Sequence, residues 1–446
     1  MVVRRGVRPL LALLAAGALF PATTAVGEAA LGRREQLPNG MLLLTAEQPA
    51  LPIVTLSLLI RAGALYDPPD RPGVANLTAQ MLAQGTTTRT GSQISEAIEF
   101  VGGSLSAEAG RELLTVSLAV LRKDLDTGLD LLADILLHPV FNPGDLARKK
   151  QEVIAGIRRD REDPGTVSNQ AWEALVYGSH PYGRPVEGSE ASVAAIGREE
   201  LVKFHDDYIR PDQAILAVAG DIRTAEFTAR LLARLAGWLP GGRSLPMPAP
   251  PAPLTRRTVT TIQREVTQAS INLGHLGITR SNPDFYAVQV MNYLLGGGFG
   301  SYLVTAIREE KGWAYDVGCH FNAGKAAGDY NLSLQTRNEV AQQAIDAALA
   351  QIRRIREQPV DGQALADAKA YLTGSFPLRL DTGRKLVGMM ASIEYHGLGQ
   401  DYVEEYPRHI DRVTAADVQR VAQRYLDPER YALAVVADLT KAKLAP

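Results

Sequence analysis

Two spacings of apolar residues alternate along the chain. The near-continuous apolar, β-rich run Ile53 to Ala62 predicts a strand, as do Gln36 to Leu44 (with Asn39-Gly40 as its turn), Ser104 to Ala109, Leu113 to Leu121 and Ala214 to Ala219. Helical spacing predicts helices over Val74 to Gln84 (ending at Gly85), Ile94 to Val101, Leu125 to Leu137, Pro143 to Arg161 and Glu199 to Tyr208. Farther on, Leu303, Ala306 and Ile307 form the i, i+3, i+4 stripe of another helix, with Ser301 as N-cap and Gly312 just past its end. A strand from Ala314 to Phe321 follows. A period of two puts Tyr315, Val317, Cys319 and Phe321 on one face, with Cys319 read as facing inward.

The pattern repeats. Tyr208, Pro211, Ala217 and Asp221 recur as Tyr425, Pro428, Ala434 and Asp438, a constant offset of 217 residues. Each copy follows an amphipathic helix, which predicts a duplicated unit. Between the copies, residues 240–254 carry Pro240, Pro246, Pro248, Pro250, Pro251 and Pro253. Such a segment sustains neither helix nor central strand and reads as a linker. The predicted fold class is α+β: two homologous domains, 31–239 and 255–446, each a mixed, mostly antiparallel sheet packed with helices.

Composition narrows the function classes. The 446 residues are 46% hydrophobic and 22% charged, ordinary for a soluble globular protein. Lys and Arg number 47 against 49 Asp and Glu, so no global basic field points to a nucleic-acid partner. Residues 1–30 read as a secretory signal peptide: Arg4, Arg5 and Arg8, then the apolar run Leu10 to Phe20, then small residues with cleavage near 25–30. The run is too short to span a bilayer comfortably, and the mature chain has no candidate membrane span. The expected location is the periplasm or the exterior. Cys319 is the only cysteine, so no intrachain disulfide forms; it reads as a buried thiol.

The candidate chemistry lies in Leu294-Leu295-Gly296-Gly297-Gly298-Phe299-Gly300-Ser301 and in Ile307-Arg308-Glu309-Glu310-Lys311-Gly312-Trp313-Ala314-Tyr315. Arg308 offers a permanent forked cation and Tyr315 a phenol donor, a pair suited to peptide carbonyls or a carboxylate. The structural alternative pairs Arg308 with a neighbouring Glu and sinks Tyr315 in the core. A nucleotide loop is excluded, because no Gly-Lys-Ser/Thr follows the glycines. The stretch resembles the C-terminal signature of the pitrilysin/insulinase-type zinc metallopeptidases. That resemblance implies a clamshell-half fold, with Arg308 and Tyr315 holding substrate and Gly296, Gly297, Gly298 and Gly300 letting its backbone approach.

The same resemblance exposes a loss. Catalytic members carry His-x-x-Glu-His on a helix in the first half, two zinc-ligating imidazoles one turn apart around a general base. Gly73 to Thr86 matches the surroundings of that motif, but Asn76 and Gln80 stand at the His positions and Ala79 at the base. The third ligand, a Glu from a later helix, falls at Gly156. The seven His residues form no i, i+4 pair, and His180-Pro181-Tyr182-Gly183 reads as a satisfied loop histidine.

The chain therefore resembles the zinc-lacking subunit of heterodimers such as the mitochondrial processing peptidase and certain bacterial pairs. The expectation is no cofactor in this chain, zinc in a homologous partner subunit, and a peptide substrate. A peptide-binding or scaffold protein with no proteolytic partner is the alternative from another class. An enzyme active alone through unrecognised residues is the third.

Overall fold

A computed structural model describes residues 28–29 and 31–445. The signal peptide read at residues 1–30 lies outside them, apart from Glu28 and Ala29. Among the described residues no helix is long and apolar enough to cross a membrane.

Two mixed sheets carry the fold. The first has the order β1 (Glu28–Ala29), β2 (Gly32–Gln36), β3 (Leu42–Glu47), β7 (Ala214–Gly220), β4 (Ile53–Ile60), β6 (Leu114–Leu121), β5 (Ser104–Ala109). The second has the order β8 (Thr258–Gln263), β12 (Ala432–Ala437), β9 (Gln268–Leu276), β11 (Gly328–Arg337), β10 (Ala314–Ala323). From β3 onward the first sheet matches the second strand for strand. Each begins with a parallel pair, β3 with β7 or β8 with β12, and continues antiparallel. The duplication read from the 217-residue offset is thus a duplication of topology. Gln36 to Leu44, expected as one strand, is a tight hairpin joining β2 to β3, with Asn39 Oδ1 accepting the Met41 N–H at 3.2 Å.

The first half carries α1 (Val74–Met81), α2 (Gly91–Phe100), α3 (Leu125–Leu137), α4 (Pro143–Glu162), α5 (Pro164–Tyr177), α6 (Glu190–Ala195), α7 (Arg198–Tyr208) and α8 (Thr224–Arg234). The second carries α9 (Phe285–Asn292), α10 (Ala341–Glu357), α11 (Gly362–Gly374), α12 (Gly383–His396), α13 (Tyr402–Asp411) and α14 (Ala415–Tyr425). Residues 240–254 form neither helix nor strand. They are held to the body at Gly241 and Gly242, whose N–H groups donate to the Asp212 carboxylate at 3.0 and 2.9 Å.

One helix of each half belongs structurally to the other. Helix α5 lies on β9 and β12 of the second sheet, and α12 lies on β4 and β7 of the first. Neither the apolar spacing nor the 217-residue repeat predicts this exchange. It is written into the central strands. In β7, Leu216 and Val218 face the first half's own helices, while Ala217 and Ala219 face Leu386, Val387, Met390 and Ala391 of α12. In β12, Leu433 and Val435 face the second half's own helices, while Ala432 and Ala434 face Trp172, Val176 and Tyr177 of α5. Small residues on the exchange side let the visiting helix approach. Each large apolar side chain so covered contributes about 1.5–3 kcal/mol. Polar contacts fix the arrangement: Ser168 Oγ donates to Ala434 O at 3.0 Å, and the Arg34 guanidinium makes a two-bond pair with Glu394 at 3.1 and 2.9 Å.

Because each sheet needs the other half's helix, the chain is expected to unfold in one cooperative transition by circular dichroism. Trp172→Ala should lower its stability by about 3–5 kcal/mol without splitting that transition. Two separate transitions in the wild type would contradict the exchange as the source of cohesion.

Candidate functional site

Helix α1 is buried almost all round, with Val74, Ala75, Asn76, Leu77, Thr78, Ala79 and Met81 covered, and it packs against β5, α4 and α7. The Asp67 carboxylate holds its start, accepting the Gly73 and Ala75 N–H groups at 2.7 Å each. Burial raises the Asp67 pKa to about 7, against the opposite pull of those two bonds and of Arg184.

On this helix Asn76 and Gln80 stand one turn apart, and their carboxamides meet: Gln80 Nε2 donates to Asn76 Oδ1 at 3.0 Å. Asn76 is buried, and its Nδ2 has no partner among the described residues. Ala79, beside them, lies in the apolar core. Gly156, on α4, has room: a Cβ there would meet nothing nearer than the Arg159 guanidinium at 3.9 Å. Glu152, one turn earlier, is exposed and paired with Arg148 and Lys149.

The glycine-rich stretch occupies the equivalent place in the second half. Strand β4 leads to α1, and its counterpart β9 leads to α9. Helix α9 continues into a π-helical turn, Tyr293–Gly297, and a second π turn covers Val304–Glu309. The glycines serve different ends. A Cβ on Gly296 would stand 2.7 Å from Cys319 Sγ and 2.8 Å from Cys319 N, so the turn is pressed against β10. A Cβ on Gly298 would stand 2.7 Å from the Tyr293 ring. Gly297 meets only Asn292, at 3.3 Å, and Gly300 faces open space. Ser301 stands at the helix start, its carbonyl accepting the Thr305 N–H at 2.9 Å, but its buried Oγ makes no cap bond. Gly312 does close the helix at φ 59°, with Gly312 N–H donating to Arg308 O at 3.1 Å and Trp313 N–H to Ile307 O at 3.0 Å.

Tyr315 departs from the expected face. The β10–β11 register slips between Ala314 and Asp316, leaving Tyr315 as the bulged residue. Val317, Cys319 and Phe321 point inward, but Tyr315 is turned out and 82% exposed. The bulge brings it beside Arg308, whose guanidinium carbon lies 5.4 Å from the phenol ring centroid. Arg308 is exposed and has no side-chain hydrogen bond or ion pair among the described residues. Neither half of the structural alternative describes this pair. Cys319 is buried, and burial pushes its thiol up to about 12, so it stays protonated. His180 is buried against Tyr182, with ring centroids 4.9 Å apart, and its Nδ1 accepts the Tyr182 N–H at 3.2 Å. No hydrogen bond, ion pair or ring contact joins the Asn76–Gln80 pair to the Arg308–Tyr315 pair among the described residues.

Two family models match neighbouring stretches of the chain. Residues 42–190 match the insulinase family, peptidase M16, and residues 195–372 match the peptidase M16 inactive domain. The chain belongs to the M16 (insulinase/pitrilysin) peptidase family. It is similar to an uncharacterized zinc protease of Mycobacterium leprae, 29% identical over 424 residues and 93% of each chain. It is also similar to one of Bacillus subtilis, 24% identical over 408 residues, 91% of this chain and 98% of the other. Among solved structures, a peptidase M16 inactive domain from Pseudomonas fluorescens superposes with a TM-score of 0.86 at 27% identity, covering 91% of this chain and 97% of that one. A protease from Helicobacter pylori, at 16% identity and a TM-score of 0.85, covers 90% and 98% and shares the fold.

The zinc that M16 relatives are named for does not fit the residues here. Carboxamides are neutral, weak ligands for Zn²⁺ beside imidazole, thiolate or carboxylate. The two present are bonded to each other, and Ala79 and Gly156 offer no donor. Among the described residues no three His, Cys, Asp or Glu side chains converge to hold a metal ion. Helices α1 and α4, which carry these positions, pack against each other. The triple variant Asn76→His, Gln80→His, Gly156→Glu is therefore expected to take up about one zinc per chain by elemental analysis after dialysis. Failure of a folded triple variant to bind zinc would show that the side-chain losses are not the only obstacle.

Proposed function

We propose that this chain is the non-catalytic, substrate-binding subunit of an exported heterodimeric M16 peptidase. The observation that carries the reading is the contrast between two equivalent positions in one duplicated fold. In the first half the helix is packed, with two carboxamides joined by a single hydrogen bond where ligands would stand. In the second, Arg308 and Tyr315 are turned out to solvent side by side. A homologous subunit with an intact His-x-x-Glu-His helix would supply the hydrolytic chemistry. This chain would hold the peptide: the Arg308 fork and the Tyr315 phenol donate to carbonyls, and the open face of Gly300 admits its backbone. The basic, apolar and small-residue segments in residues 1–30 support export to the periplasm or beyond.

The test is reconstitution with a zinc-bearing M16 partner. In the complex, Arg308→Ala should lower kcat/KM for an unstructured peptide by about ten-fold or more, roughly 1.4 kcal/mol of lost binding and positioning. Tyr315→Phe, which keeps the ring and loses the hydroxyl, should cost less. Unchanged kcat/KM in the Arg308→Ala complex would remove the arginine from the site.

A further inference from the structure

We infer that the outer edge of β8 is where a second copy of this chain joins. The two β8 strands pair antiparallel across a two-fold axis, so that the second sheets of both copies become one. This association is separate from the peptide-holding role.

A strand at the end of a sheet leaves a row of backbone donors and acceptors unpaired, and proteins blunt such edges with shortness, charge, bulges or cover. Among the described residues, three of the four sheet edges are treated so. β1 is two residues long. β5 carries Glu108 and has α1 packed against it. β10 opens on the bulge at Tyr315 and has both π turns packed against it. β8 has none of these devices. Its sequence Thr-Val-Thr-Thr-Ile-Gln contains no charge and no proline, and all but the last residue are β-branched. Its register with β12 runs unbroken from Thr258 to Gln263. The Thr258 and Arg264 N–H groups donate to Tyr431 O and Ala437 O at 2.9 Å each. The even-numbered residues therefore face β12, and Val259, Thr261 and Gln263 turn their backbone groups outward. Those groups have no backbone partner among the described residues.

The first half shows what fits this place. β3, the counterpart of β8, is covered by β2 running antiparallel to it. β8 lacks such a cover, and its flanks suit a copy of itself. With Thr261 opposite its own copy, Val259 stands opposite Gln263, and each pair exchanges both N–H···O bonds. The same register sets Arg257 opposite Glu265 at both ends, an attraction that the two-fold axis doubles. Arg257 and Glu265 are exposed, and neither has an ion-pair partner among the described residues. A shift by two residues, the smallest that keeps outward groups opposed, would set Arg257 against Gln263 or Thr267 and lose that pair.

The experiment is sedimentation velocity of the full chain over a wide range of concentration. The wild type should pass from monomer to dimer as concentration rises. Thr261→Pro should remove the dimer and leave the melting curve unchanged, because the lost N–H faces away from β12 and an edge strand tolerates proline there. Arg257→Glu should raise the dimer dissociation constant about ten-fold, since both ends of the pairing become repulsive. Arg257→Glu combined with Glu265→Arg should restore it. These exposed residues lie outside the strand, so they decide the matter even where the proline variant does not fold. A wild type that stays monomeric throughout would overturn the inference, as would a dimer that survives Thr261→Pro in a folded chain or charge reversals that neither weaken nor rescue it. So would a chain that associates only with a zinc-bearing homologue and loses that association in Thr261→Pro, since the edge would then belong to that subunit.

Discussion

The two halves are held by an exchange of covers. Each central strand presents large residues to its own helices and alanines to a helix from the other half. Without α12 the first sheet would expose Leu42, Leu44, Ala217 and Ala219, and without α5 the second would expose Ala432 and Ala434. The exchanged helices are the same length and start at Pro164 and Gly383, 219 residues apart, so the exchange is itself part of the duplication. The relative placement of the two site-bearing segments therefore depends on buried apolar contact more than on the 240–254 linker.

Upon that frame, one topological position has been used twice. The helix after β4 is buried along most of its length, and its Asn76 and Gln80 carry amides. Asn76 and Gln80 share one hydrogen bond while the buried Asn76 Nδ2 stays without a partner among the described residues, so the pair is only partly satisfied. The helix after β9 is instead broken by two π turns and four glycines. There the backbone lies close to β10 and to Tyr293, and the polar groups that follow are carried outward.

Much of this was legible in the chain. Strands β5 and β6 and helices α3 and α4 follow from apolar spacing because each has one wet face. The helix predicted over Val74 to Gln84 is legible from its apolar residues, and α1 with the turn after it covers that stretch. Three features were not legible, for physical reasons. Tyr315 was assigned inward because a period of two cannot reveal a bulge, which adds a residue without changing local composition. Helix α5 was passed over although Asp163-Pro164 marks its start, with the Asp163 carboxylate accepting the Thr166 N–H at 2.7 Å. Its buried face is interrupted by Ser168, whose partner lies 266 residues away. The stacked rings of Tyr293 and Tyr371 come together only through the tertiary fold.

The central claim is that this chain holds peptide and does not cut it. Native mass spectrometry of the purified chain, incubated with zinc and an unstructured peptide, tests it most directly. The account predicts a metal-free chain, peptide adducts of intact mass and no cleavage products until a zinc-bearing homologue is added. One zinc retained per lone chain, together with cleaved peptide, would contradict it.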